Sequence, residues 1–299
     1  MALKDTIWNF LWVQEWNIGF FHSSRFPEKL PEIKWLKSDY TEGWFADPFL
    51  LKENDSEIEV LVEEYNYASC KGRIDLLTVD KSDYKLKDIK VLLETDHHLS
   101  FPAIFRAQDK IYIYPENSEE GDLKIYEYNE LSKTLENPVT ILDDNVVDAI
   151  IRHDIDDDNY YIFATKYGTL SNNDELLIYQ SRELTGKYTP VKKITLGNYG
   201  ARGAGDWIEN DGRIIRPSQD GSDLNQYGKG IILTEIKGSG ENDMKEVGRI
   251  YPNSDAYPLG IHTINSLGSL YVVDGLKYIR PFTGRLTWSV RCFIRGLGK

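Results

Sequence analysis

The sequence predicts an all-β chain, a five-bladed β-propeller closed by an N-terminal strand, with a short helix at each end. Three observations predict it. A unit of short strands, apolar in the middle and separated by polar turns, recurs five times. Its period stays near 50 residues, the mark of a radially repeated sheet. One strand near the N-terminus has no sequential partner, which suits a ring that closes by joining its two ends and so leaves no open edge.

Residues 4–14 place Ile7, Trp8, Leu11 and Trp12 on one helical face, so a helix is expected over residues 1–15, packed on the body or touching a membrane. The partnerless strand covers Asn17–His22, and a Pro- and Lys-containing loop, 27–43, leads to the first unit. That unit reads Trp44-Phe-Ala-Asp-Pro-Phe-Leu-Leu, then Glu57-Ile-Glu-Val-Leu-Val-Glu-Glu-Tyr, then Cys70-Lys-Gly-Arg-Ile-Asp-Leu-Leu-Thr-Val: three strokes with turns between. First strands open at Asp47, Phe101, Asp148, Asp206 and His262, spaced by 54, 47, 58 and 56 residues. Second strands are expected at 59–65, 110–115, 160–165, 213–217 and 269–274, and third strands at 73–79, 123–128, 175–180 and 230–235. After Asp274 the chain reads as basic and helical, so the propeller is placed at 16–280 with the N-terminal strand completing the fifth unit. Over 281–299, Leu286, Val290, Phe293, Ile294 and Leu297 share a helical face that Arg291 and Arg295 avoid. Such a basic amphipathic helix either docks on the acidic body or adsorbs to an anionic membrane surface.

Composition narrows the function. A net charge of −13 argues against non-specific contact with nucleic acid phosphates. The two cysteines, Cys70 and Cys292, form neither a disulfide framework nor a zinc site. No secretory signal and no apolar run long enough to span a bilayer are visible, so a cytoplasmic protein is expected, peripheral at the inner membrane face if the tail adsorbs. The acidic run Asp154–Asp158 lacks the glycine and closing glutamate of a calcium loop and reads as a solvated turn.

In a propeller the first strands line the central channel, so their polar openings converge. The converging set is Asp47, His97, His98, Ser100, Asp148, Arg202, Asp206 and His262, joined by Glu63, Glu64, Glu116, Gln219, Asp220 and Asp274 from second-strand ends. Carboxylates gathered on one axis and held in different environments suit glycosidic chemistry, which needs one ionised and one protonated. Asp47, its backbone pinned by Pro48, is the expected base or nucleophile. Glu116 is the first choice for the acid and Glu64 the second, with Asp148 auxiliary. His98, Arg202, Arg216, Gln219, Asp220, Tyr227, His262 and Asp274 are expected to bind the sugar, and the loop after Arg216 to rim the site. No cofactor is expected, a structural cation near His262 being the alternative use of that residue. A non-catalytic glycan-binding or scaffolding propeller is the rival reading.

Seven ordered motifs carry a resemblance: Trp44-Phe-Ala-Asp-Pro-Phe, Val62-Glu-Glu-Tyr with Lys71-Gly-Arg-Ile, Ser100-Phe-Pro, Pro115-Glu, Arg216-Pro-Ser-Gln-Asp with Tyr227-Gly, Gly260-Ile-His-Thr-Ile-Asn and Val273-Asp-Gly. Over about 16–275 the chain resembles the N-terminal domain family of plant glucosamine inositolphosphorylceramide transferases and its stand-alone bacterial relatives. That family is in turn similar to the five-bladed propellers of the arabinanase, xylosidase and fructosidase superfamily. The resemblance implies a sugar or glycan substrate and a place in bacterial surface-polysaccharide assembly. It does not carry over inositolphosphorylceramide glycosylation, which in the plant proteins belongs to a separate C-terminal domain. It also implies a base Asp in the first blade and an auxiliary Asp in the third, matched by Asp47 and Asp148. The acid Glu that it implies in the fourth blade is absent, since Arg202, Gly205 and Asp206 stand there. Either Glu116 or Glu64 then serves from another blade, or ordinary hydrolysis is not the reaction.

Overall fold

In a computed structural model, which describes residues 13–27, 29–107, 109–168, 173–210, 212–223, 226–237 and 244–279, the chain forms five four-stranded antiparallel sheets. The N-terminal strands are β1 (Val13–His22) and β2 (Lys34–Trp35). Blade 1 holds β3 (Gly43–Glu53), β4 (Glu57–Asn66), β5 (Lys71–Asp80) and β6 (Leu86–Leu93). Blade 2 holds β7 (Ser100–Ala107), β8 (Lys110–Glu116), β9 (Leu123–Asn129) and β10 (Thr134–Leu142). Blade 3 is β11 (Val146–Asp154), β12 (Asn159–Lys166), β13 (Glu175–Ser181) and β14 (Thr189–Thr195). Blade 4 is β15 (Ile208–Asn210), β16 (Arg213–Gln219), β17 (Ile231–Ile236) and β18 (Met244–Ile250). Blade 5 combines β19 (Ile264–Leu267) and β20 (Leu270–Ile279) with β1 and β2.

Closure takes the expected form. Strand β1 pairs with β20 along its whole length, from Val13 opposite Ile279 to His22 opposite Leu270. The ladder satisfies backbone groups that an open ring would expose. It also revises two boundaries: Val13, Gln14 and Glu15 are strand, and β20 runs on to Ile279 where a helix was expected to begin. The remainder of both expected terminal helices lies outside the described residues, as does the tail of 281–299.

Each of the first four blades has a fourth, outermost strand where the sequence showed three. These strands are mostly exposed or half-buried, so their apolar pattern is weaker than that of the inner strands. Strand β14, Thr-Pro-Val-Lys-Lys-Ile-Thr, is typical, and Pro190 there, like Pro138 in β10, is tolerated because an edge needs no further donors. Two-residue β2 plays the same outer role in blade 5, inside what read as loop.

The core lies between blades. Phe49, Leu61 and Leu76 of blade 1 pack against Phe101, Ile113 and Ile125 of blade 2 and on to Ile150 and Ile162 of blade 3. Ile18, Phe20 and Val272 of blade 5 meet Ile58, Val60 and Leu77 of blade 1. Because the central strands β4 and β5 are buried on both faces, their sequences run apolar without alternation. Turn 154–158 joins β11 to β12 as an exposed hairpin end. Among the described residues no helix is long and apolar enough to cross a membrane.

Candidate functional site

Three inner strands are interrupted at the same level. In β3 the pairing passes from Ala46–Glu63 to Phe49–Leu61, in β7 from Ser100–Glu116 to Ala103–Tyr114, and in β11 from Val147–Thr165 to Ile150–Phe163. Each step inserts one residue, a β-bulge, and a bulge re-aims the side chain it carries. The bulged residues Asp47, Phe101 and Asp148 take φ of 48, 44 and 47°, a left-handed conformation that Asp tolerates better than most residues. Such backbone costs about 1–3 kcal/mol per residue and persists where surroundings enforce it. Blade 4 uses Gly205, at φ 135°, in its corresponding irregular stretch.

Asp274 ties the first half of the site together. Its carboxylate accepts the backbone N–H groups of His262 (2.8 Å), Thr263 (3.1 Å) and Asp47 (3.4 Å), and lies 2.5 Å from His262 Nδ1. Asp47 Oδ1 accepts Thr263 Oγ1–H at 2.7 Å and stands 3.5 Å from His262 Nε2, while its Oδ2 accepts the Phe101 N–H at 3.2 Å. Burial raises Asp47 to about 6, His262 opposes the rise, and the Asp148 and Asp274 charges add to it. For His262 burial favours the neutral ring, yet Asp274 and Asp47 outweigh it and hold the pKa above its usual value. Trp16 stacks on the His262 ring at 4.2 Å, and Tyr227 meets it edge-on at 5.2 Å. Ligand atoms of Asp47, His262 and Asp274 lie within 4.8 Å of one another, close enough to share a cation. Their carboxylates already accept five backbone or hydroxyl donors, which suits a proton network better than an ion cage.

Replacing Asp274 by Ala strands the 262–263 amides and a charged imidazole in a buried site. Removal of one buried charge partner costs about 3–5 kcal/mol, so the melting temperature of Asp274→Ala is expected to fall by many degrees in calorimetry.

The second half centres on Asp148. Its Oδ2 accepts Arg202 Nε–H and Gln219 Nε2–H, the latter at 2.9 Å. Its backbone N–H donates to Glu116 Oε2 at 3.1 Å, and Ser118 Oγ–H donates to Glu116 Oε1 at 2.7 Å. Burial, then the neighbouring Asp148 charge, lift Glu116 to about 8 against the pull of Arg202. The Arg202 guanidinium also lies 5.3 Å above the Tyr227 ring. Glu63, 6% exposed, is pushed well above the carboxylate range by burial and then by Asp47, Glu116, Asp148 and Asp274. His98 Nε2 stands 3.4 Å from Glu63 Oε1, and His98 Nδ1 accepts the Gly72 N–H at 2.8 Å, which assigns the ring proton to Nε2. Burial lowers the His98 pKa, keeping the ring neutral.

The structure thus gathers Asp47, Glu116, Asp148, His98, Arg202, Gln219, Tyr227, His262 and Asp274 at one mouth. Three expected site residues sit elsewhere. Glu64 turns away from the channel, where it accepts Tyr40 O–H at 2.7 Å and faces Arg73 Nε at 3.1 Å. Glu63 faces the cluster in its place, because adjacent strand residues point to opposite faces. The apolar run Val60-Leu61-Val62 before them gives no alternation from which to choose. Arg216 is buried and donates to the Gly200 and Ala201 carbonyls, holding the chain that presents Arg202. Asp220 is bound by Arg249 at 3.0 Å and Tyr251 O–H at 3.1 Å. Asp206 belongs to the opposite mouth, where with Phe49, Ile104, Arg106 and Ile151 it lines a cavity of about 620 Å³.

Comparison with known proteins places the chain in a family. The sequence model for the domain described as glucosamine inositolphosphorylceramide transferase 1, N-terminal, matches residues 16–256. The chain belongs to this family. A glucosamine inositolphosphorylceramide transferase 1 from Arabidopsis thaliana is 27% identical over 241 residues, covering 77% of this chain and 31% of that protein. The enzyme of that name from Oryza sativa subsp. japonica is 26% identical over 218 residues, 70% of this chain and 28% of its own length. The family domain present here therefore spans about three tenths of these relatives. Among solved structures, a GH43 β-xylosidase/α-arabinofuranosidase from a compost metagenome, in complex with xylotriose, superposes with a TM-score of 0.55 at 11% identity, covering 89% of this chain and 96% of that one. A thermostable family-43 glycoside hydrolase gives 0.53 at 14% identity over 75% and 83%. The family domain shares its five-bladed fold with these proteins.

Proposed function

We propose that the chain takes a sugar at the channel mouth and acts on its glycosidic bond by hydrolysis or transfer. The observation that carries this reading is the split among buried carboxyls of one cluster. Asp148 is paired with Arg202, Asp47 titrates near 6, and Glu116 stays protonated to about 8. Asp47 serves as base or nucleophile, Glu116 donates the proton to the leaving oxygen, and Asp148, clamped by Arg202 and Gln219, holds Glu116 in its protonated form. Glu63, pushed toward its protonated form by burial and the neighbouring carboxylates, donates to a sugar hydroxyl in this reading. The setting we assign is bacterial surface-glycan assembly, supported by the resemblance of stand-alone family members to components of such gene clusters. Arginine beside the fourth blade's opening, where the related hydrolases resembled in sequence carry an acid, favours transfer as much as hydrolysis.

A base near 6 and an acid near 8 require a bell-shaped rate profile peaking close to pH 7, its limbs belonging to the coupled cluster as a whole. Initial rates on aryl xylosides, arabinofuranosides, galactosides and glucosaminides between pH 5 and pH 9 check it; a flat profile sinks the assignment. A second reading has its own support. Asp47 is already bonded to Thr263 and Phe101, and Asp148 to Arg202, an arrangement that also suits a glycan-binding propeller without turnover. Sugar affinity in calorimetry with no product from any donor would decide for it.

A further inference from the structure

A groove of about 430 Å³ runs along the junction of blades 5 and 1, beside the carboxylate mouth. Trp16 is the shared wall: it lines the groove and stacks on His262. Trp44, three residues before Asp47, lines the groove too, and both tryptophans pack around Ala46. The Trp44 ring lies parallel to Tyr65, 4.8 Å away at 6°, and both side chains are partly exposed. Tyr65 in turn neighbours His98, the partner of Glu63, so an aromatic rim leads from the groove into the site.

The chemistry of the lining selects the occupant. Polar side chains dominate it, among them Asn17, Ser38, Asp39 and Thr41. Among the described residues its one ammonium is Lys277, which pairs with Glu15 at 3.1 Å and rests over the Tyr257 ring. Among the described residues no cation is therefore left to hold a phosphate or carboxylate, and the apolar surface is too small for a lipid chain. A flat, supported indole with a polar rim matches a neutral polyhydroxylated ring, whose C–H face stacks while its hydroxyls meet the rim. The volume admits one or two sugar rings, not a long chain.

We propose that this groove is a saccharide subsite, that Trp44 is its platform, and that the substrate is an oligosaccharide whose next residues lie there while the reacting sugar sits at the carboxylates. This rests on the reading of the mouth as a sugar site. The subsite gives the chain a preference for glycans of at least two residues over monosaccharides.

The test is calorimetric binding of xylo-, arabino-, galacto- and chito-oligosaccharides of one to five residues to the full chain. Wild type is expected to bind the preferred series at least tenfold more tightly at two or three residues than at one. Trp44→Ala should remove that gain and leave the monosaccharide affinity within twofold. Thr41→Arg, an exposed substitution that fills the groove, should do the same with an unchanged melting temperature, which covers a Trp44→Ala variant that fails to fold. Affinity independent of chain length, no binding by any member of the four series, or equal weakening of all lengths by both variants overturns the subsite. Chain-length-dependent binding that persists in Asp47→Asn without any turnover in wild type leaves the subsite standing and removes the catalytic reading alone.

Discussion

Asp47→Asn is expected to lower turnover by about 10²–10⁴-fold, the range that one acid–base group contributes. Asparagine keeps an oxygen for the Thr263 hydroxyl but turns an amide toward the Phe101 N–H, which Asp47 Oδ2 now accepts. One buried donor is left unmatched, at about 1–3 kcal/mol, so the variant should also melt earlier. The two effects separate experimentally: rates are measured well below the variant's melting temperature, and sugar binding by calorimetry is expected to survive. If Asp47→Asn retains wild-type turnover on a substrate that wild type consumes, Asp47 is neither base nor nucleophile. If binding disappears with turnover, Asp47 acts as a sugar ligand.

Glu116→Gln should abolish the alkaline limb of the rate profile along with most of the activity on poor leaving groups. Donors with an already acidic leaving group, such as nitrophenyl glycosides, should suffer far less, because they need no proton. The same substitution has a stability signature of opposite sign. Glu116 titrates near 8 in the folded chain against 4.5 for the ordinary side chain. Its protonated form therefore supports the fold fully below about pH 4.5, and that support is lost as pH rises through 8. Each unit of displacement corresponds to about 1.4 kcal/mol. Glutamine stays neutral throughout, so Glu116→Gln should flatten the decline in melting temperature between pH 5 and pH 9 and exceed wild type at the alkaline end. A variant that follows the wild-type curve would show that Glu116 is not the group held protonated. Loss of activity with gain of stability is what a carboxyl kept neutral for function predicts; the alkaline gain follows from the raised pKa alone, and the leaving-group dependence is what a purely structural glutamate would not give.

Arg216 illustrates how a site is built from outside itself. It touches no carboxylate of the cluster, yet it grips the carbonyls of the two residues before Arg202, and Gln219 N–H holds the Arg202 carbonyl at 2.8 Å. The sequence marked Arg216 as a ligand because an arginine beside glycines and acids looks like one. Burial shows it to be a strut.

The amino-acid sequence by itself determined the repeat, the number of blades and the closing strand, because apolar runs at a regular period must be buried between neighbours whatever the chemistry at the axis. It also marked Asp47, Asp148, Glu116 and His262, since each opens or ends a strand that has to reach the channel. Only the tertiary structure decided between Glu63 and Glu64, whose neighbouring positions differ by which face of β4 they occupy. That choice is set by the register of β4 against β3 and β5, which no strand carries alone. The outer strands were hidden for a related reason: mostly exposed or half-buried, they carry a weaker apolar pattern than the inner strands, and their pairing reveals them. Asp220 and Arg216 look like site residues in one dimension, and their partners Arg249, Tyr251 and the 200–201 carbonyls lie on other strands or loops. What a polar side chain does in a propeller depends on who meets it across the blade, and that is a fact of packing.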